Sequence, residues 1–309
     1  MHFVDDVQHY IHCEFHNMAT SRDVLERCIE NTGHWMSANC LKWNPDKTEL
    51  LWTGTSHSLS RFTDGRPRLM LGTEVIDASS SAWLLEVTFT PDLCQEKQAS
   101  IVSGRCFFQL RQLRHVRRSH DSEVASTLIY SFVSSRVHYC SCLMAGAPKK
   151  WTEKLQWVFN AAACILTQTK MYNRGLTPIL HDELHWLDVS ERIQMLCIHV
   201  YKCLHDIAQK YMMILCPPVS AIEGHSHLRS AARGQLDVPR PKLSKYGRRA
   251  FSYACPSAWN SLPNYLKDSS LNLVILNDLE RHFCFQSIST PECITDVCMQ
   301  VRYRNVHLH

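Results

Sequence analysis

Asp5 and Asp6 are the first residues of this chain whose types and spacing could do chemistry. They stand in Phe3-Val4-Asp5-Asp6-Val7-Gln8-His9-Tyr10. The apolar, β-prone runs on either side read as a hairpin with the acids at its tip. Adjacent carboxylates on a tight turn make a hard, oxygen-only site suited to Mg²⁺, which is usually held together with substrate phosphates. A two-metal site for phosphoryl transfer needs a further acid from another strand. The dipeptide by itself also fits an ordinary acidic turn, because Asp is common in turns.

Other residues carry charge rather than reactivity. Arg111, Arg114 and Arg118 share one helical face, away from a stripe that ends in Leu113 and Val116, and no acid lies between Arg105 and Arg118. A helix of this kind can track a nucleic-acid backbone; the same pattern also fits a solvated basic face. A second basic stretch holds His225, His227, Arg229, Arg233, Arg240, Lys242, Lys245, Arg248 and Arg249, opposed only by Asp237. Pro and Gly interrupt it, so it reads as a loop that either contacts RNA or DNA backbone or serves as a linker. His181-Asp182-Glu183-Leu184-His185 is the nearest approach to a zinc motif. A zinc protease needs Glu directly after the first His, and Asp182 is there instead. Cys197, His199, Cys203 and His205 share one helix and read as core on its cysteine side.

The chain of 309 residues is long enough for one large or two ordinary domains. Its 45% hydrophobic and 20% charged content is that of a soluble globular protein. No apolar run approaches the ~18–20 residues of a membrane span. Acids near the start, where a signal peptide is apolar, argue against secretion and for an intracellular place, nucleus or cytoplasm. The 33 Lys+Arg against 29 Asp+Glu leave only +4, so the distribution of charge matters more than its sum. Fifteen cysteines, an odd number without a Cys-x-x-Cys, fit reduced and mostly buried thiols.

These residues need elements to position them. Thr20 to Asp23 has capping-box spacing, and Leu25, Cys28/Ile29, Thr32 and Met36 follow at helical period. Lys47 to Trp52 reads as a strand. Leu69 to Leu71 and Glu74 to Ile76 flank Gly72-Thr73 as a short hairpin. Leu84 to Thr90 reads as one further strand. From Pro91 onward the period is helical: a stripe of Ala99, Val102, Cys106, Leu110, Leu113 and Val116, then helices over about 123–144 and 149–168. A fourth helix carries Ile193, Cys197, Val200 and Leu204, and Pro178 suits a first helical turn. Residues 217–262, punctuated by proline, read as loop, and a last helix is expected over 271–285.

In order along the chain, several segments resemble the C-terminal half of a reverse transcriptase from non-LTR, LINE-type retrotransposons of the jockey-like group. Phe3-Val4-Asp5-Asp6 is similar to that family's aromatic-x-Asp-Asp motif. Trp35-Met36-Ser37-Ala38-Asn39-Cys40-Leu41-Lys42-Trp43-Asn44 with Lys47-Thr48-Glu49 looks like the palm segment after it. Leu84-Leu85-Glu86-Val87-Thr88-Phe89 falls where the family has its primer-grip strands. Ser135-Arg136-Val137-His138-Tyr139-Cys140, Leu155-Gln156 with Asn160-Ala161-Ala162-Ala163, and Val200-Tyr201-Lys202-Cys203-Leu204-His205 look like its thumb and following region. So do Tyr246-Gly247-Arg248-Arg249-Ala250-Phe251 and Trp259-Asn260-Ser261-Leu262-Pro263.

The resemblance implies an α+β fold: a truncated palm sheet over 1–90, a mainly helical thumb-like region over 91–216 and a basic C-terminal region over 217–309. It implies Mg²⁺ at Asp5, with Asp6 beside it, Lys47 near nucleotide phosphates, and an RNA template and DNA primer as partners. The family's upstream palm acid, fingers and nucleotide-pocket motif are not matched, so polymerisation by this chain alone is not expected. A non-catalytic nucleic-acid-binding remnant, or a pseudogene-like product, is the alternative. Glu86 stands where the family favours Gly, His138 where Asp is usual and Trp43 where Leu is usual; a bulky acid in place of Gly is expected to fit a tight backbone poorly.

Overall fold

Short, largely apolar runs on either side of a glycine turn build the first sheet. In the computed structural model of the chain, β1 (Leu69–Leu71) and β2 (Glu74–Ile76) pair antiparallel, Leu69 opposite Ile76 and Leu71 opposite Glu74. Gly72, at φ +63°, takes the first central position of the two-residue loop. A type II′ turn requires that left-handed conformation there, and only glycine adopts it without strain. Leu69, Leu71 and Ile76 are buried with Leu50, and Leu25, Ile29, Trp43 and Trp52 pack around them.

The structure describes residues 7–62, 65–119, 121–139, 141–169, 176–184, 186–194, 196–241, 247–262, 264 and 267. They form a mixed α+β chain, mostly helical, with two small antiparallel sheets. The chain divides into two compact units, Met1–Gln98 and Ala99–His309. The expected helix over 271–285 lies outside the described residues.

In the first unit, α1 (Met18–Ala38) presents Leu25 and Ile29 to the β1–β2 core. It begins before the expected Thr20–Asp23 cap. A 3-10 turn, Phe15–Asn17, leads into it, and the Asn17 side chain accepts the Glu14 backbone N–H at 3.0 Å. Val7 to Tyr10, expected as the second arm of the acidic hairpin, is not in a strand: no described strand pairs with it, and without a ladder its backbone has no reason to stay regular. His9 in this segment instead meets Thr32 Oγ1 on α1 at 3.3 Å.

The segment read as one strand over Leu84–Thr90 is a second hairpin. β3 (Ala82–Leu84) pairs with β4 (Val87–Phe89), and Leu85-Glu86 form the turn. Both take positive φ, +46° and +64°. Positive φ at both central residues is the pattern of a type I′ turn, where Asn-Gly is the usual sequence. The turn escaped sequence reading because neither residue signals it. Trp83 and Thr88 face each other across this hairpin. Trp83 N–H donates to Glu49 Oε2 at 2.7 Å and Thr88 N–H to Gln98 Oε1 at 2.9 Å. On the other sheet, Met70 N–H donates to Glu26 Oε1 of α1 at 2.8 Å. Side-chain acceptors thus occupy outward donors on β1, β3 and β4, which helps to close edges that would otherwise invite mispairing.

Lys47 to Trp52 is not a strand either. Pro45–Lys47 is a 3-10 turn, fixed by Asp46 N–H donating to Asn44 Oδ1 at 3.0 Å. Leu50 then makes a single parallel bridge to Ala78. Pro45 and Asn44 favour the turn locally, and that preference prevails over the β-prone residues after it.

The second unit has two cores. The first is enclosed by α2 (Glu96–Val116), α3 (Ser122–Ile129), α4 (Ser135–His138) and α5 (Lys149–Thr167). On α5, Trp151, Leu155, Val158, Phe159, Ala162, Ala163 and Leu166 are buried, a stripe at helical period. Gln168 ends that helix in a left-handed conformation, φ +56°. The helix expected over 123–144 is interrupted by a π turn, Tyr130–Ser134, between α3 and α4. Ser131 Oγ donates to Thr127 O at 2.9 Å and Ser135 Oγ to Ser131 O at 2.6 Å, so hydroxyls compete for ladder carbonyls on both sides of the interruption.

The second core joins α7 (Leu196–Leu204), which follows α6 (Val189–Gln194), to α8 (Phe251–Ser261). The expected loop over 217–262 instead contains α8, with Pro256 inside it. Proline there removes one ladder bond, but its ring is fully buried and contributes packing instead. Trp259 Nε1–H donates to Gly234 O at 2.9 Å. Asn260 accepts Leu236 N–H at 2.9 Å and donates back to Leu236 O at 2.8 Å, as a neighbouring strand would. Residues on both sides of position 217 share this core, Val200 and Tyr201 with Leu236, Cys255 and Trp259.

Candidate nucleic-acid interface

Helix α2 has one packed face and one open face. Ala99, Cys106 and Leu110 are buried in the first core, with Val102 and Leu113 half-buried beside them. This is the expected stripe as far as Leu113; Val116, at 41% exposure, lies outside it as the helix ends. Two polar contacts fasten the helix to α5. Lys154 Nζ donates to Ser100 Oγ at 2.9 Å, and Arg117 Nη2 donates to Leu166 O at 3.2 Å, a carbonyl of the last turn of α5. Arg117 is thereby drawn onto the protein, away from the other arginines.

The open face carries Arg111 and Arg114 on the helix and Arg118 in the 3-10 turn, Arg117–Ser119, that continues it. All three are exposed, and none makes an ion pair with a described residue. From Lys97 through Ser119 the sequence holds no acid, so no neighbour on the element neutralises them. Phe107 and Phe108, 36% and 58% exposed, sit on the same open face. Their only signal in the sequence is that two consecutive aromatics lie off the packed stripe. At ~100° per residue Phe107 falls between Arg111 and Arg114 around the axis. A positively charged, rigidly seated face with projecting rings can hold phosphates and offer apolar surface between them.

The other sequence-derived residues are not gathered here. Arg240 and Arg248 are exposed and Arg249 is half-buried, all on segments adjoining the second core rather than on α2. Lys242 and Lys245 lie outside the described residues, as do Asp5 and Asp6. Lys47 is exposed at the end of its 3-10 turn, with Glu49, two residues on, committed to the Trp83 backbone.

Histidines and cysteines resolve into structural roles. His181 lies in a π turn, Ile179–Glu183, not in the α-helix that an i, i+4 zinc pair requires, and His185 lies outside the described residues. His181, Asp188 and Glu191 do converge, with ligand-type atoms within 4.8 Å of one another. Both acids also make contacts within the protein. Asp188 Oδ2 is 3.5 Å from His181 Nε2, and Glu191 Oε2 accepts the Asp188 N–H at 2.8 Å as the capping box of α6. Cys197 and Cys203 are buried core residues, as their helical spacing indicated. Burial pushes the Cys106 and Cys197 thiols up to about 11 and that of Cys216, beside Cys203, up to about 12. Thiols raised this far carry little thiolate at neutral pH, which makes them poor nucleophiles.

Among the described residues, no helix is long and apolar enough to cross a membrane. No protein-family model, curated protein or solved structure matches the chain.

Proposed function

We propose that this chain is the C-terminal portion of a LINE-type, RNA-directed DNA polymerase, and that by itself it binds nucleic-acid backbone through the open face of α2. The ordered resemblance of its segments to that family supports the ancestry. The observation that carries the binding is the set Arg111, Arg114 and Arg118: exposed, without ion pairs to described residues, on a helix whose opposite face is locked into a core. In this reading the β1–β4 hairpins correspond to the end of a palm and the helices α2 to α7 to a thumb, with α8 in the region that follows it. Unneutralised cations on a fixed scaffold release phosphate counterions on binding without a cost in ordering the scaffold.

Two measurements test the reading. Filter binding of RNA–DNA duplex should show affinity that falls steeply with salt, weakened more by Arg111→Glu, Arg114→Glu and Arg118→Glu than by Asp5→Ala. Primer extension on an RNA template should give no product with this chain alone. Robust Mg²⁺-dependent synthesis that Asp5→Ala abolishes would place the function in the acids and overturn the binding-only reading.

A further inference from the structure

We infer that the α2 face prefers single-stranded nucleic acid, whose bases stack on Phe107 and Phe108 while Arg111, Arg114 and Arg118 hold its phosphates. The inference rests on the backbone-binding reading and names the form of nucleic acid.

The geometry distinguishes a strand from a duplex. A lone exposed aromatic on a protein surface needs no explanation. Here two are consecutive, on a helix whose core-facing positions are filled by smaller residues, Ala99, Cys106 and Leu110. Neither makes a ring contact with a described residue. Arg111 is three and four residues from the two rings, the spacing at which helical side chains lie side by side. His115, exposed, stands one further turn along from Arg111.

From Phe107 to Arg118 the helix advances roughly 16 Å at ~1.5 Å per residue. That length accommodates a short run of nucleotides. Bases inside a duplex already stack on each other and offer no ring face; those of a single strand do, whatever their sequence. Charge alone would serve either form. The rings are what a duplex cannot use.

The test uses the full chain and fluorescence anisotropy with two labelled probes, an oligothymidylate of about a dozen nucleotides and a duplex of the same length. Phe107→Leu and Phe108→Leu keep apolar bulk and helix propensity at exposed positions, and unchanged circular dichroism and melting certify their folds. The single strand should bind more tightly than the duplex, and each Leu variant should weaken it about tenfold while leaving the duplex and the salt dependence unchanged. Phe108→Trp should restore or exceed the original affinity. Salt-dependent binding that is equal for both probes and indifferent to Phe→Leu overturns the single-strand preference and leaves backbone binding intact. Absence of salt-dependent binding to either probe overturns both.

Discussion

The two units of this chain are stabilised in different ways. Among the described residues, the first buries four hydrophobic side chains in its core, Leu50, Leu69, Leu71 and Ile76. The second buries 17 in one core and 11 in the other. The first unit compensates with hydrogen bonds from side chain to backbone at the edges of its hairpins, through Glu26, Glu49 and Gln98. The second relies on helix stripes and buried aromatics such as Phe159, whose ring meets Trp186 edge-on at 5.8 Å and lies beneath the Arg192 guanidinium at 4.4 Å. A small unit depends on a few polar contacts and a large one on area buried. A surface that must hold its charges in fixed positions is therefore better built on the second, and α2 is packed there.

The largest effect that sharpens this contrast is in the second unit. Phe159→Ala should cost ~3–5 kcal/mol, read as a fall in the denaturation midpoint of the helical signal; a cost below about 1 kcal/mol would mean that the core is not close-packed. Next, Gln98→Leu leaves the buried Thr88 N–H without its acceptor and should destabilise the first unit by ~1–3 kcal/mol, seen as faster amide exchange across β3 and β4. Equal exchange in variant and parent would show that the edge contacts do not hold this unit.

Smaller still, Glu86→Gly should stabilise the second hairpin by about 1 kcal/mol, because it relieves a left-handed backbone at φ +64°. Loss of stability on this change would mean that contacts of the Glu86 side chain outweigh its strain. Thiol labelling compares the units without mutation. Cys28 and Cys40, exposed in the first, should react in the native chain, whereas Cys106, Cys197 and Cys216 should react only on unfolding. Rapid native labelling of the latter three would contradict the packed second unit.

Long apolar periods and glycine made parts of this fold legible in the sequence. The Gly72 hairpin and helix α5 appear where their patterns put them, as does the buried stripe of α2 as far as Leu113. What stayed hidden lacks a local signal or gives a misleading one. Leu85 and Glu86 do not advertise a turn. Pro256 reads as a breaker until burial of its ring makes it part of α8. Of the segment after Lys47 only Leu50 finds a partner, a single bridge to Ala78, so its strand propensity goes largely unused. The candidate site was half legible: charge spacing on α2 identified the arginines, but that Phe107 and Phe108 face out, and that Arg117 turns back to Leu166, depends on how the helix seats.

Salt dependence tests the central claim most directly. Binding of the full chain to nucleic acid is measured across a range of salt concentrations, for the parent and for a variant carrying Arg111→Glu, Arg114→Glu and Arg118→Glu. Three phosphate contacts contribute a log–log slope of roughly −2 to −3, and the variant should lose that much. Parallel lines with the same slope and affinity would contradict the account, because binding would then owe nothing to α2.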